Sequence, residues 1–178
     1  MMINYVTPSL INSWLNLLNN EYATIEDFLQ TLNKEPYATN EYMQKGIDFE
    51  ADVYAGKYPK FDKYINGCLK QVRIFGTCNG IGISGIIDVL QPNWIYDIKW
   101  TKSYQTGKYG KGSQHIFYPY VTGINNFAYI VNPDCYFEEY RYKQGQAEKL
   151  IEDFLKWLEI AGYYNIWQEK WRKETNGN

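Results

Sequence analysis

The chain has 178 residues, a length that predicts one domain over 1–178, burying roughly 70% of its extended surface. Its formal charge is -2, which excludes a global basic field, so any hold on nucleic acid must come from a local patch. With 18 Tyr, 8 Phe and 6 Trp, it is not the composition of a disordered chain.

Cys68, Cys78 and Cys135 are scattered and odd in number, with no Cys-x-x-Cys or Cys/His spacing. That excludes a disulfide framework and argues against a zinc or iron–sulfur site. No basic stretch followed by an apolar run opens the chain, and no apolar run approaches the about 18 residues that a membrane span needs. The expectation is a soluble, intracellular (cytoplasmic) protein.

Taken in order, Pro8-Ser9 suits a helix start and is followed at helical spacing by Leu10, Ile11, Trp14, Leu15, Leu17 and Leu18. Thr24 can cap a short second helix built on Ile25, Phe28, Leu29 and Leu32. A third helix is expected from about Thr39 to Ala55, with an apolar stripe of Met43, Gly46, Ile47, Val53 and Tyr54. Glu50 falls on that stripe, whereas Asp48 and Asp52 point elsewhere. A carboxylate facing inward costs several kcal/mol unless it is paired, protonated or metal-bound, so Glu50 requires a partner.

From Gly67 the period changes to two. Residues 67–76, 80–90 and 94–101 read as three consecutive strands, turned by Thr77–Gly80 and by Gln91-Pro92-Asn93. Gly112 and Ser113 open a helix to about Gly123. Two strands follow, Phe127–Val131 and Tyr136–Tyr142, and a closing helix starts near Gln146. Residues 172–178 read as a loose polar tail. The order predicts an α/β fold with a mixed sheet.

Asp88 lies on the second strand of the meander, and Asp97 and Lys99 lie on the third, sharing a face with Ile95. Tyr96, Ile98 and Trp100 take the opposite face. A short turn can bring the two aspartates together, and two buried carboxylates repel unless one is protonated or a cation separates them. Mg²⁺ or Mn²⁺ suits such oxygen ligands, with Glu50 and the Ile98 carbonyl able to complete the set. The plainer alternative is that Asp88 caps a turn and Asp97–Lys99 is an ion pair on an exposed strand. The apolar residues on both faces of 94–101 argue against a solvated strand.

Lys99, Lys102, Lys108 and Lys111 fall in a stretch, 99–111, that contains no acid, with Trp100, Tyr104 and Tyr109 interleaved. The stretch is a local basic and aromatic patch suited to phosphates and bases, or else an ordinary solvated loop. Gln114 and Tyr118 lie four apart at the start of the next helix and share a face, for packing or for a ligand. His115, the only histidine, has aromatic neighbours and no second ligand, and reads as a surface or core residue.

Gly46-x-x-x-Glu50, Gly85-x-x-Asp88, Asp97-x-Lys99 and Gln114-x-x-x-Tyr118 follow one another in this order. The set resembles the PD-(D/E)XK nuclease superfamily, and within it the RecB-like branch with its Gln-x-x-x-Tyr motif. Thr7-Pro8-Ser9 before a Trp-containing helix is similar to that branch's opening, and the resemblance covers about residues 7–130. It implies a central mixed β-sheet flanked by helices, the restriction-endonuclease-like core, and metal-dependent cleavage of DNA, more in the manner of an exonuclease than an endonuclease. By the motifs, Glu50, Asp88, Asp97 and the Ile98 carbonyl would bind Mg²⁺ or Mn²⁺. Lys99 would orient water and stabilise the phosphate, and Gln114 and Tyr118 would position the DNA, with Lys102, Lys108 and Lys111 in the adjoining patch. Many RecB-like relatives carry histidine on the first helix where this chain has Glu50. Several carry a four-cysteine iron–sulfur cluster, which three scattered cysteines do not build.

The resemblance implies work in recombination, repair or phage DNA processing, alone or with a homo-oligomer or partner protein. Two alternatives share the fold: a non-catalytic nucleic-acid- or partner-binding module, and an RNA-directed nuclease.

Overall fold

Met2–Val6 form a strand, β1, that periodicity alone does not reveal. The computed structural model describes residues 2–132 and 134–174. Helix α1 (Pro8–Asn19) starts on Pro8 as its sequence predicts, and its cap is the preceding Thr7, whose hydroxyl accepts the Leu10 amide at 3.2 Å. Helix α2 (Ile25–Leu32) opens on a reciprocal cap between Thr24 and Asp27. Helix α3 (Glu41–Tyr54) is capped by the Asn40 side chain. A further short helix, α4 (Pro59–Ile65), was not expected and begins on Pro59.

Strands β2 (Leu69–Cys78), β3 (Ile81–Leu90) and β4 (Ile95–Lys99) form the foreseen meander, with ends shifted by one or two residues. Asn79 and Gly80, at φ 49° and 80°, make the tight turn between β2 and β3. Helix α5 (Gln114–Thr122) stops at Gly123 in the left-handed conformation. Strands β5 (Asn126–Val131) and β6 (Tyr136–Arg141) and helix α6 (Gln146–Ala161) follow as expected. Helix α7 (Tyr164–Lys170) and strand β7 (Arg172–Glu174) close the described chain. Arg172–Glu174 therefore do not belong to a loose tail: they pair antiparallel with Met2–Asn4. Residues 175–178, the rest of that expected tail, lie outside the described residues.

The seven strands form one mixed sheet in the order β6-β5-β4-β3-β1-β7, with β2 also on β3. Helices cover both faces, as expected. On one face α1, α2, α6 and α7 bury Leu10, Trp14, Phe28, Phe154 and Trp167 around Ile83. On the other, α3 and α4 bury Phe49, Val53, Phe61 and Ile65 against Val89, Tyr96 and Ile98. The α3 stripe is thus corrected: Met43 and Ile47 are exposed, and the row that meets the sheet is Phe49–Val53. Phe49 packs on Tyr58 at 4.9 Å and on Phe61 at 5.5 Å, so the unforeseen α4 covers the α3 row that carries it.

One topological detail places the site. Strand β2 runs along one edge of β3 for its whole length. The opposite edge is shared: β1 pairs at Gly82 and Ile83, and β4 pairs only at Val89 and Leu90. The two strands fork, and the β3 backbone between them, Ser84–Asp88, has no ladder partner on that edge.

Candidate active site

The fork leaves backbone groups to be satisfied by side chains, and those side chains are the predicted ones. The Tyr118 hydroxyl donates to the Ile86 carbonyl at 2.8 Å. The Ile98 amide, on the departing β4, donates to Asp88 Oδ2 at 2.9 Å. Gly85 lies beneath the Tyr118 ring, where a Cβ would come within 2.7 Å of Cε1. The glycine of Gly85-x-x-Asp88 is therefore the space that lets α5 close over the fork. Gly46, by contrast, has nothing within 4 Å of a notional Cβ.

Regular pleating fails at Asp88. Ile87 packs into the cluster beneath α5, and Val89 into the cluster beneath α3, although alternation would put both on one face. The partner strand breaks at the same level. Lys70 lies over the Tyr54 ring at 5.3 Å, Val72 packs on the α5 side, and Gln71 between them adopts φ 52°, in the left-handed region. The break lets Asp88 reach β4 while Gln71 reaches α3.

Asp97 is 1% exposed on the α5 face of β4. Gln114 Nε2 donates to its Oδ1 at 2.5 Å. Lys99 Nζ stands 2.5 Å from Oδ2 and pairs with it, so both oxygens of this buried carboxylate are engaged. Burial pushes the Asp97 carboxyl above its ordinary range, countered by Lys99 and Gln114. Burial also raises Asp88, with the Asp97 and Glu50 charges adding to it, to about 8. For Lys99, burial works against the charge, but Asp97, Asp88 and Glu50 outweigh it and hold the ammonium protonated above its usual value.

Glu50, half-buried on α3, finds its partner in Gln71 rather than in a charge: the Gln71 amide donates to Glu50 Oε1 at 2.5 Å and to Asp88 Oδ1 at 3.4 Å. Tyr54 Oη accepts from the same amide at 3.1 Å and donates to the Asp88 carbonyl at 3.0 Å. Sequence pattern singled out neither Gln71 nor Tyr54, since an amide on an exposed strand and a tyrosine in a helix carry no motif.

Among the described residues no three carboxylate, imidazole or thiol side chains converge as a formed metal centre. The donor set nevertheless suits a hard divalent cation: Asp97, 1% exposed, and Asp88, raised by burial and by the Asp97 and Glu50 charges, lie on adjacent strands, with Glu50 brought near Asp88 through the Gln71 amide they share.

Two grooves flank Gln114. One, of about 580 Å³, runs past Ser9, Arg73, Gly85, Tyr118 and Lys173. The other, of about 330 Å³, is lined by Asn16, Asn19, Lys99, Lys108 and Lys111. Lys108 and Lys111 thus join Lys99 in one groove, whereas Lys102 is exposed elsewhere on the loop and lines neither. The interleaved aromatics are not free platforms: Tyr104 stacks on Tyr136 at 4.5 Å, Tyr109 packs on Tyr129 at 5.0 Å, and Trp100 leans on Tyr42. His115 is buried against Tyr140 at 4.3 Å, and burial lowers it to about 4, so it is a neutral core residue.

Neither a comparison with protein-family models nor one with curated proteins finds a match. Solved structures do match. The alkaline exonuclease LHK-Exo of Laribacter hongkongensis aligns over 90% of this chain and 91% of its own at 18% identity and a TM-score of 0.54. The same enzyme in complex with dAMP gives 20% identity and 0.55 over the same shares. A candidate exonuclease of Eubacterium rectale aligns over 94% of this chain and 82% of its own at 12% identity and 0.53. At such identities the likeness shows the fold, a mixed sheet flanked by helices, which in this chain has seven strands among the described residues.

Proposed function

We propose that the protein is a Mg²⁺- or Mn²⁺-dependent DNA nuclease, acting as an exonuclease in recombination, repair or phage DNA processing. The observation that carries this reading is the meeting of Asp88, Asp97, Lys99 and Gln114 at the β1/β4 fork, beside a lysine-lined groove. A structural ion pair has no need of a second carboxylate raised by burial and by its neighbours' charges, nor of an amide and a tyrosine converging on the same fork. The exonuclease neighbours, one crystallised with dAMP, support a phosphodiester of DNA as substrate.

Asp88, Asp97 and the Ile98 carbonyl would hold the cation, with Glu50 brought in from α3. A bound divalent cation supplies Lewis acidity to the phosphate and lowers the pKa of water. The residues of the chain do the rest. Lys99 enters as an ammonium, since its neighbours keep it protonated, and so acts as a donor rather than a base. It orients the attacking water and stabilises charge building on the phosphate oxygens as the phosphorus–oxygen bond to the leaving group breaks. Gln114 fixes the Asp97 carboxylate and Tyr118 the β3 backbone beneath it, and from the groove that both line they would position the DNA strand. Lys108 and Lys111 hold the backbone of the strand along the groove, with Lys102 a peripheral contact.

The test is end-labelled single- and double-stranded DNA incubated with the protein in Mg²⁺, Mn²⁺ or EDTA, beside Lys99→Ala. Metal-dependent release of label by the wild type and not by the variant is the expected result. Equal cleavage by Lys99→Ala would sink the assignment. Folded protein that binds DNA but cuts with neither metal would make it a binding module, and preference for a matched RNA strand would make it a ribonuclease.

A further inference from the structure

The Gln71 carboxamide sits where opposing carboxylates would otherwise face each other. Its single nitrogen donates to Glu50 Oε1 at 2.5 Å, to Tyr54 Oη at 3.1 Å and to Asp88 Oδ1 at 3.4 Å. Two of these three acceptors are the outer oxygens offered to a cation from α3 and β3. The amide has two N–H groups, which Glu50 Oε1 and Asp88 Oδ1 share with Tyr54 Oη, and so it holds both carboxyl side chains in place. The arrangement is built into the backbone as well. Gln71 is directly opposite Asp88 in the β2–β3 register, between the pairs Lys70↔Val89 and Val72↔Ile87, and it adopts φ 52° there, a conformation that an ordinary strand residue avoids.

A cation bound by Glu50 and Asp88 would need the same lone pairs at about 2.0–2.2 Å, and the positive end of an N–H dipole cannot remain beside it. We propose that Gln71 stands in the cation's place between Glu50 and Asp88 in the metal-free protein and is displaced when the ion enters, so that Gln71 sets how tightly the site holds metal. The inference rests on the metal site of the proposed function and adds a positioning residue to it. Because the amide stabilises only the metal-free form, linkage fixes the sign: removing it weakens that form and tightens metal binding by the same factor.

The experiment is calorimetric titration of the intact protein with Mn²⁺ alone, no DNA present, for wild type, Gln71→Asn and Gln71→Met. Asparagine keeps an amide and accepts the left-handed backbone but falls one methylene short; methionine keeps the length and loses the donor. Gln71 is exposed, so both variants leave the core untouched. The expected result is Mn²⁺ binding that tightens roughly three- to tenfold in both variants, the size that a charge-assisted hydrogen bond supports. It should be accompanied by a lower Tm in EDTA and a larger rise in Tm on adding Mn²⁺. Wild-type binding with unchanged or weaker affinity in both variants would overturn the role of Gln71 and leave the metal site standing. No Mn²⁺ binding by the wild type would overturn both.

Discussion

Asp88 accepts the Ile98 amide at 2.9 Å across the point where β3 and β4 part company. The bond replaces a ladder contact that the fork removes, and it holds one oxygen of the carboxylate against β4, next to Asp97. The two acids are thereby kept together at a cost that appears in their titration: burial first, then Asp97 and Glu50, raise Asp88 to about 8. The sign follows directly. A carboxyl whose folded pKa lies above its unfolded value of about 3.9 favours the fold while protonated, so the metal-free protein should lose stability as pH rises from about 4 to about 8. In EDTA, Tm should fall across that window, and Asp88→Asn should make the slope shallower, leaving the part that Asp97, also raised by burial, contributes. Divalent metal competes with the same proton, so its affinity should climb over the same window. A flat Tm profile in EDTA would mean that the carboxyl is not strained.

Gly85 and Gly46 occupy equivalent places in their sequence motifs but opposite places in the structure. A Cβ on Gly85 meets the Tyr118 ring, whose hydroxyl is fixed to Ile86, so Gly85→Ala should cost about 1–3 kcal/mol by overpacking. Gly46 lies in the interior of α3 with open space around it, and Gly46→Ala should gain about 0.5–1 kcal/mol from helix propensity. Urea unfolding of the two variants checks both signs. If Gly46→Ala keeps its stability but loses metal binding, Gly46 serves the approach of Glu50 instead.

Most of the fold was legible where period and helix-start signals agree: the Pro8 start of α1, the Thr24 cap of α2, the β2–β4 meander and the start of α6 at Gln146 all follow from local patterns. What escaped is stabilised from a distance. Strand β1 and strand β7 exist because they pair with each other, with β1 also laid along β3, and neither has the length or alternation to announce itself. The same division runs through the site. Asp88, Asp97, Lys99 and Gln114 stand out by residue type and spacing. Gln71 and Tyr54 act only because the pleat breaks opposite Asp88, and no linear pattern encodes that break.

The lysines of the 99–111 stretch separate by position. Lys108 and Lys111 line the groove that opens on Lys99, while Lys102 is exposed and lines neither groove. Under the proposed function, Lys108→Ala and Lys111→Ala should each weaken DNA binding and reduce the slope of log K against log salt by about 0.7–0.9, the value for one released counterion. Lys102→Ala should leave the slope within error. Fluorescence anisotropy with catalytically inert Lys99→Ala protein over a salt series measures all three. Equal effects from the three lysines would point to a diffuse basic field rather than a groove.

Glu138 on β6 organises the loop that carries those lysines. Its buried carboxylate accepts from the Tyr104 hydroxyl at 2.8 Å, the Gly107 amide at 3.2 Å and the Tyr109 amide at 3.3 Å, as well as from the Tyr140 hydroxyl. Two of the four donors are backbone groups of the loop itself, which gives a segment with three glycines, Gly107, Gly110 and Gly112, a defined path over the sheet edge. Glu138→Ala strands these donors, at about 1–3 kcal/mol for each that water does not reach. The expected outcome is faster amide exchange and proteolysis confined to residues 101–112, with KM for DNA raised more than kcat is lowered, since Asp97 and Lys99 keep their own contacts on β4. Glu138→Gln should fall between the two, because its one remaining acceptor oxygen can still serve part of the set. Uniformly faster exchange across the sheet would show that Glu138 holds the core rather than the loop.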